Sequence, residues 1–157
     1  MAHKYVAIVA WRRTGEVFTD NRYNRAHEWS FDGGLTVPAS SSPQVVRPPL
    51  SSEAAIDPEE ALVAAVSSCH MLWFLSLAAR QGFVIESYVD EAYGVGGRNE
   101  HGKPAFARIV LRPRIEFAEL TPTPAQLAEL HHHAHEECFI ANSLKCEIVV
   151  EHEQPLA

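Results

Sequence analysis

Residues 57–83 read DPEEALVAAVSSCHMLWFLSLAARQGF, and the fold turns on how this stretch is taken. It opens with helix-start chemistry. Asp57 is a good N-cap, Pro58 suits the first helical position, and Glu60 stands three residues after Asp57, as a capping box requires. Helix-compatible residues continue to Arg80, and Gly82 supplies the left-handed position on which helices often stop. Between Ala61 and Ala79 no side chain carries a formal charge. That run is long enough for a bilayer. Ser67, Ser68, Cys69, His70 and Ser76 interrupt it, so the expectation is a buried core helix rather than a membrane span. Apolar on nearly every face, the helix should lie at the centre of the structure.

On either side the pattern changes to strands. YVAIVAW (5–11) is an apolar, β-branched run, and TGEVFTD (14–20) follows a Thr-Gly turn signal. HEWSFDGG (27–34) alternates with period two and stops at Gly33-Gly34. Residues 37–53 hold four prolines and five serines and read as an irregular surface loop. After the helix, residues 86–96 and 105–119 read as strands around a Gly-rich turn, with a phase slip at Pro113. A second helix starts at Thr123, with Pro124 first and Gln126 completing another capping box, and runs through the His-rich segment to Cys138. Residues 145–153 close the chain as a strand. The order implies one α+β domain over residues 1–157, with antiparallel sheets packed on two long helices, the first central and buried.

Composition narrows the function. The formal net charge is −7 and no Lys/Arg cluster forms a basic face, which argues against a nucleic-acid partner. The apolar run Val6–Trp11 is followed, not preceded, by Arg12 and Arg13, so the start does not read as a signal peptide. Three cysteines are too few for a disulfide scaffold. The expected setting is the reducing cytoplasm, with no membrane association.

Several residues could carry chemistry. Cys69 lies about three turns inside the first helix, too far in for the N-terminal dipole to favour its thiolate; a cation from elsewhere would be needed. Without one, a buried cysteine is an inert small hydrophobe. His70 points about 100° away around the helix and is a weak partner for that thiol. A second thiol, Cys138 or Cys146, could condense with a sulfenic acid at the first, although spacing alone does not show which cysteines meet. His131, His135 and Cys138 share one helix face, so a zinc site is conceivable, yet neither a CxxC pair nor an HExxH motif accompanies them. GVGGRN (94–99) leads to a strand, not a helix, and reads as a hairpin turn rather than a phosphate loop.

Taken together, the 57–83 helix, HEECFIANSLKCEIVV (135–150) and YNRAHEWSFDGG (23–34) resemble the OsmC/Ohr family of thiol-dependent peroxidases, in the same order and over essentially the whole chain. The resemblance implies that Cys69 is the peroxidatic cysteine and Cys138 the resolving one. It matches Arg25 to the active-site arginine and Glu59 to that arginine's carboxylate partner, with Arg12, Arg13 and Arg22 in the same region. It implies an intertwined homodimer that uses no cofactor or metal. Its substrates would be organic hydroperoxides, reduced to alcohols, and its reductant a dithiol, lipoyl groups in one branch.

The implied roles are chemically coherent. Arg25 would supply the missing cation and meet the leaving oxygen, and Glu59 would orient the guanidinium. Met71, Trp73 and Phe74 would favour a greasy peroxide. Ten helical residues separate Glu59 from Cys69, about 15 Å, so either Glu59 sits off the helix start in a bend or it serves the thiol of a second subunit; the second is the expectation. Cys146 reads as structural. The competing functions are a non-catalytic hydrophobic-ligand or stress protein on the same scaffold and a His/Cys metal-binding protein.

Overall fold

A computed structural model of the chain describes residues 3–151. They form two compact units, one ending at Ala61 and the other starting at Leu62.

The first unit is built on a three-stranded antiparallel sheet. Strand β1 (Ala7–Ala10) pairs with β2 (His27–Phe31), which pairs with β3 (Thr36–Ala39). The Gly33-Gly34 signal does turn the chain: Gly34 takes φ +85 and its N–H bonds back to the Phe31 carbonyl. Two expectations fail here. Residues 14–20 form no strand, because the Glu16 carboxylate accepts both the backbone N–H and the hydroxyl of Thr14 and holds that segment in a turn. The proline-rich segment, in turn, begins as strand β3. Pro38 is tolerated because β3 is an outer strand, where a missing N–H leaves no ladder bond unmade. The remainder is irregular and exposed at Gln44, Val45, Arg47, Pro48 and Pro49, as expected of a surface loop, but several of its serines are packed inward. Ser40, Ser42 and Ser51 are buried, and the Ser40 hydroxyl accepts from the Ser52 N–H at 3.0 Å.

Helix α1 (Pro58–Arg80) starts and stops as its sequence predicts. The Asp57 carboxylate accepts from the Glu60 N–H at 2.7 Å, and the Asp57 N–H reaches the Glu60 carboxylate at 3.4 Å. At the other end Gly82 is left-handed (φ +83), and the Phe83 N–H returns to the Ala78 carbonyl at 3.0 Å. By length and composition α1 could cross a bilayer. Its burial departs from the expectation of a helix covered all round. Only the stripe Val66, His70, Phe74 and Ala78 is buried, while Ala64, Ser68 and Leu72 on the opposite side are exposed. The physical reason is simple: a single chain supplies packing partners to one side of an all-apolar cylinder.

The second unit carries the remaining strands. β4 (Ile85–Asp90) pairs with β7 (Pro113–Phe117), and β5 (Tyr93–Arg98) pairs with β6 (Pro104–Leu111), both antiparallel. Each of the two long strand readings is thus two strands, and the phase slip at Pro113 is where β6 ends and β7 begins. GVGGRN lies mostly in β5, and the turn falls at Asn99–Lys103. Gly94 has a reason of its own: a Cβ there would lie 2.2 Å from the Phe106 ring. β8 (Glu147–Val150) is parallel to β6, so the sheets are not wholly antiparallel, and residues 152–153 of the predicted last strand lie outside the described residues.

Helix α2 (Pro124–Glu137) is capped as predicted. Thr123 and Gln126 satisfy each other's backbone N–H groups. A short helix not anticipated from the sequence, α3 (Phe139–Asn142), follows Cys138 directly. Two apolar clusters hold this unit. One joins Phe74, Ala78 and Phe83 to Leu130 and Ala134 of α2, and the other joins Val66 to Ile109 and Leu111 of β6.

Candidate active site

The two predicted redox cysteines meet within the second unit. Cys69 is half-buried on α1, and Cys138 is fully buried where α2 gives way to α3. Their side chains lie close enough to perturb each other electrostatically. Burial first, and the neighbouring Cys69 second, push the Cys138 thiol up to about 11, so it keeps its proton at neutral pH. The Cys138 sulfur also accepts the Ala141 N–H at 3.3 Å and thereby caps α3. Cys146 is free and packs with the Val66–Ile109–Leu111 cluster, as a structural residue would.

The predicted charged pair lies in the first unit. Arg25 and Glu59 line one pocket of about 450 Å³, together with Trp11, Phe18, Tyr23 and His27. Of the four arginines in this region, only Arg25 lines that pocket. Its guanidinium stacks over the Tyr23 ring at 3.9 Å. One of its nitrogens donates to the Tyr23 carbonyl, and the other donates to the Asn21 carbonyl and side-chain oxygen, each at 2.9 Å. Among the described residues Arg25 and Glu59 form no ion pair; the fork is committed to Asn21 and Tyr23. The aromatic wall beside it is cohesive. Phe18 and Tyr23 stack at 4.5 Å, and Trp11 meets both edge-on or tilted at 5.4 and 5.7 Å.

That aromatic wall was not picked out from the sequence. The density of rings in WRRTGEVFTDNRYNR (11–25) was the available signal. The expected greasy lining at Phe74 is corrected: Phe74 is fully buried and packs on His131 and Tyr88 inside the core.

His131 is the other residue whose placement the sequence did not give. Its Nδ1 lies 3.0 Å from His70 Nε2, and the two rings stack nearly parallel at 5.3 Å. Both residues are buried, His70 to 1% and His131 to 2% exposure. The sequence groups His131 with His135 and Cys138 as a conceivable metal face. Instead it turns to His70, and Cys138 turns to Cys69. Among the described residues no group of three or more His, Cys, Asp or Glu side chains could hold a metal ion. The legible signal was spacing. His131 falls on the apolar stripe of α2 with Leu127, Leu130 and Ala134, whereas His132 and His133 face Glu136 and Glu129 in solvent.

Burial, and secondarily the charge of His135, lower the His70 imidazole to about 4. The unfolded chain therefore takes a proton here before the native chain does. His70 then contributes stability that is full above about pH 6.5 and lost as pH falls toward 4. The lost contribution is about 3 kcal/mol. Urea denaturation at pH 7.0 and 4.5 should show this fall, and His70→Gln should flatten it; an unchanged slope in the variant would assign the acid sensitivity elsewhere.

Comparison with known proteins places the chain. Residues 51–153 match the family described as OsmC-like protein. A solved OsmC-like protein of unknown function from Vibrio cholerae is 54% identical, with a TM-score of 0.94, covering 97% of this chain and 100% of that one. The chain belongs to the OsmC/Ohr family. At lower identity the fold recurs in an organic hydroperoxide resistance protein from Legionella pneumophila (15% identity, TM-score 0.66, 96% and 97% coverage). It recurs also in one from Elizabethkingia anophelis (16%, 0.67, 98% and 100%). No curated protein matches the chain.

Proposed function

We propose that the protein is a cysteine-based peroxidase that reduces organic hydroperoxides to alcohols. The observation that carries this reading is the neighbouring placement of a half-buried Cys69 and a buried, protonated Cys138 in a chain of this family. The Cys69 thiolate attacks the peroxide, an S–O bond forms as the O–O bond breaks, and the alkoxide leaves with a proton as the alcohol. The Cys138 thiol then attacks the Cys69 sulfenic acid, giving the Cys69–Cys138 disulfide and water. A dithiol of the lipoyl kind returns both thiols and is itself oxidised to a disulfide. Arg25 is proposed to stabilise the departing oxygen, and Glu59 to orient that guanidinium.

The proposed working form is a cytoplasmic homodimer of one domain per chain. Support comes from apolar surface that one chain leaves open: Leu72 on α1 is 61% exposed, and Ile8 and Val9 on β1 are each 63% exposed. A second copy covering α1 would also bring another chain's Glu59 toward Cys69, consistent with the ten-residue separation along the helix.

Intact-mass analysis before and after one equivalent of an organic hydroperoxide tests the reading. The expected product has lost two hydrogens, mapped to Cys69–Cys138. Unmodified thiols would overturn it in favour of a non-catalytic binding protein.

A further inference from the structure

The peroxidase chemistry leaves one buried polar feature of the second unit without a task. Two imidazoles fill core volume that leucine would fill with no polar group to satisfy. His70 Nδ1 has no hydrogen-bond partner among the described residues. Whichever ring carries the shared proton, the bond joins His70 Nε2 to His131 Nδ1.

The placement of this bond is informative. His70 follows Cys69 on α1, offset from it by a constant rise of about 1.5 Å and turn of about 100°, so a contact that fixes His70 also fixes the axial position and rotation of the Cys69 backbone. His131 precedes Cys138 by seven residues on α2, two helical turns, and so shares its face. The stripe that buries Leu130, His131 and Ala134 ends at Cys138 itself. One directional bond thus joins the two helices that carry the two thiols. Apolar contacts such as Phe74 on Leu130 hold the same helices together but set no register as sharply, because dispersion is non-directional.

We infer that His70 and His131 are a positioning pair that holds α1 and α2 in the register at which Cys69 and Cys138 join. The inference rests on the dithiol reading above. The step it governs is condensation of the Cys69 sulfenic acid with the Cys138 thiol, which forms the S–S bond and releases water. The same register governs the reverse opening of that disulfide by a dithiol. Neither imidazole touches peroxide in this assignment.

The test measures the Cys69–Cys138 equilibrium directly. Wild type, His131→Leu, His131→Asn and Phe74→Leu are equilibrated in mixtures of reduced and oxidised dithiothreitol, free thiols are trapped with a maleimide, and the disulfide is quantified by peptide mass. His131→Leu keeps bulk without the bond, and His131→Asn keeps an amide where Nδ1 stood. Phe74→Leu removes the ring that packs on His131 but leaves both bonded imidazole nitrogens in place, so it separates loss of packing from loss of the bond, and thermal melting reports each variant's loss of stability. Expected is a shift of at least about tenfold in the oxidised-to-reduced dithiothreitol ratio needed for half oxidation in His131→Leu, with His131→Asn and Phe74→Leu within about threefold of wild type. A His131→Leu midpoint within threefold of wild type, or a Phe74→Leu shift as large as that of His131→Leu, would overturn the inference. Failure of the peroxidase reading looks different: wild type would form the disulfide in dithiothreitol yet remain reduced with organic hydroperoxide.

Discussion

Cys69→Ser protein should consume organic hydroperoxide no faster than buffer with dithiol, a loss of at least about 1,000-fold in turnover. A serine hydroxyl is too weakly acidic to present an oxyanion to the peroxide at neutral pH, and no nearby group is assigned to activate one. Cys138→Ser should behave differently. Its Cys69 is still oxidised once, so about one equivalent of peroxide disappears rapidly, and a sulfenic acid accumulates that a dimedone-type reagent traps. No Cys69–Cys138 disulfide forms. The contrast assigns the order of the two thiols, which burial alone suggests: Cys138 is inaccessible and protonated, while Cys69 is half-exposed. Undiminished turnover in Cys69→Ser would sink the mechanism.

Arg25→Met should lower kcat/KM for an organic hydroperoxide by about 100- to 1,000-fold, the effect of removing one preorganised donor to a developing oxyanion. Arg25→Lys should recover only part of it. An ammonium cannot reproduce the planar fork that stacks over Tyr23 and donates at once to the Asn21 and Tyr23 oxygens. The control is Arg22→Met, a residue close in sequence that does not line the pocket, and it should change kcat/KM by less than about threefold. Equal losses in both variants would indicate a general field effect and remove Arg25 from the site.

The parts of the fold that were readable in advance are those fixed by local chemistry. Asp57 with Glu60, Thr123 with Gln126 and left-handed Gly82 bracket their helices because caps satisfy donors and acceptors a few residues away. The break at Pro113 was visible as a slip in period for the same reason. Most of what could not be read depends on partners distant in sequence, as where β8 joins β6 in parallel although nothing local distinguishes the two directions. Thr14 and Glu16, two residues apart, are a local exception: their side-chain hydrogen bonds override a strand pattern. His70 is the sharpest case of a distant partner. Its partner stands 61 residues away within a cluster that first read as a metal face. Cys69 and Cys138 entered as a pair only through family resemblance, and their proximity follows from how α1 and α2 pack. The resemblance matches Arg25 ahead of Arg12, Arg13 and Arg22, and of these four only Arg25 lines the pocket with Glu59.

The one-sided burial of α1 has a thermodynamic consequence. If a second copy supplies the missing cover, part of the folding free energy of each chain is bimolecular and obeys mass action. Each tenfold dilution then removes about 1.4 kcal/mol of apparent stability per dimer, so the melting temperature slides downward with concentration rather than standing as a constant of the chain.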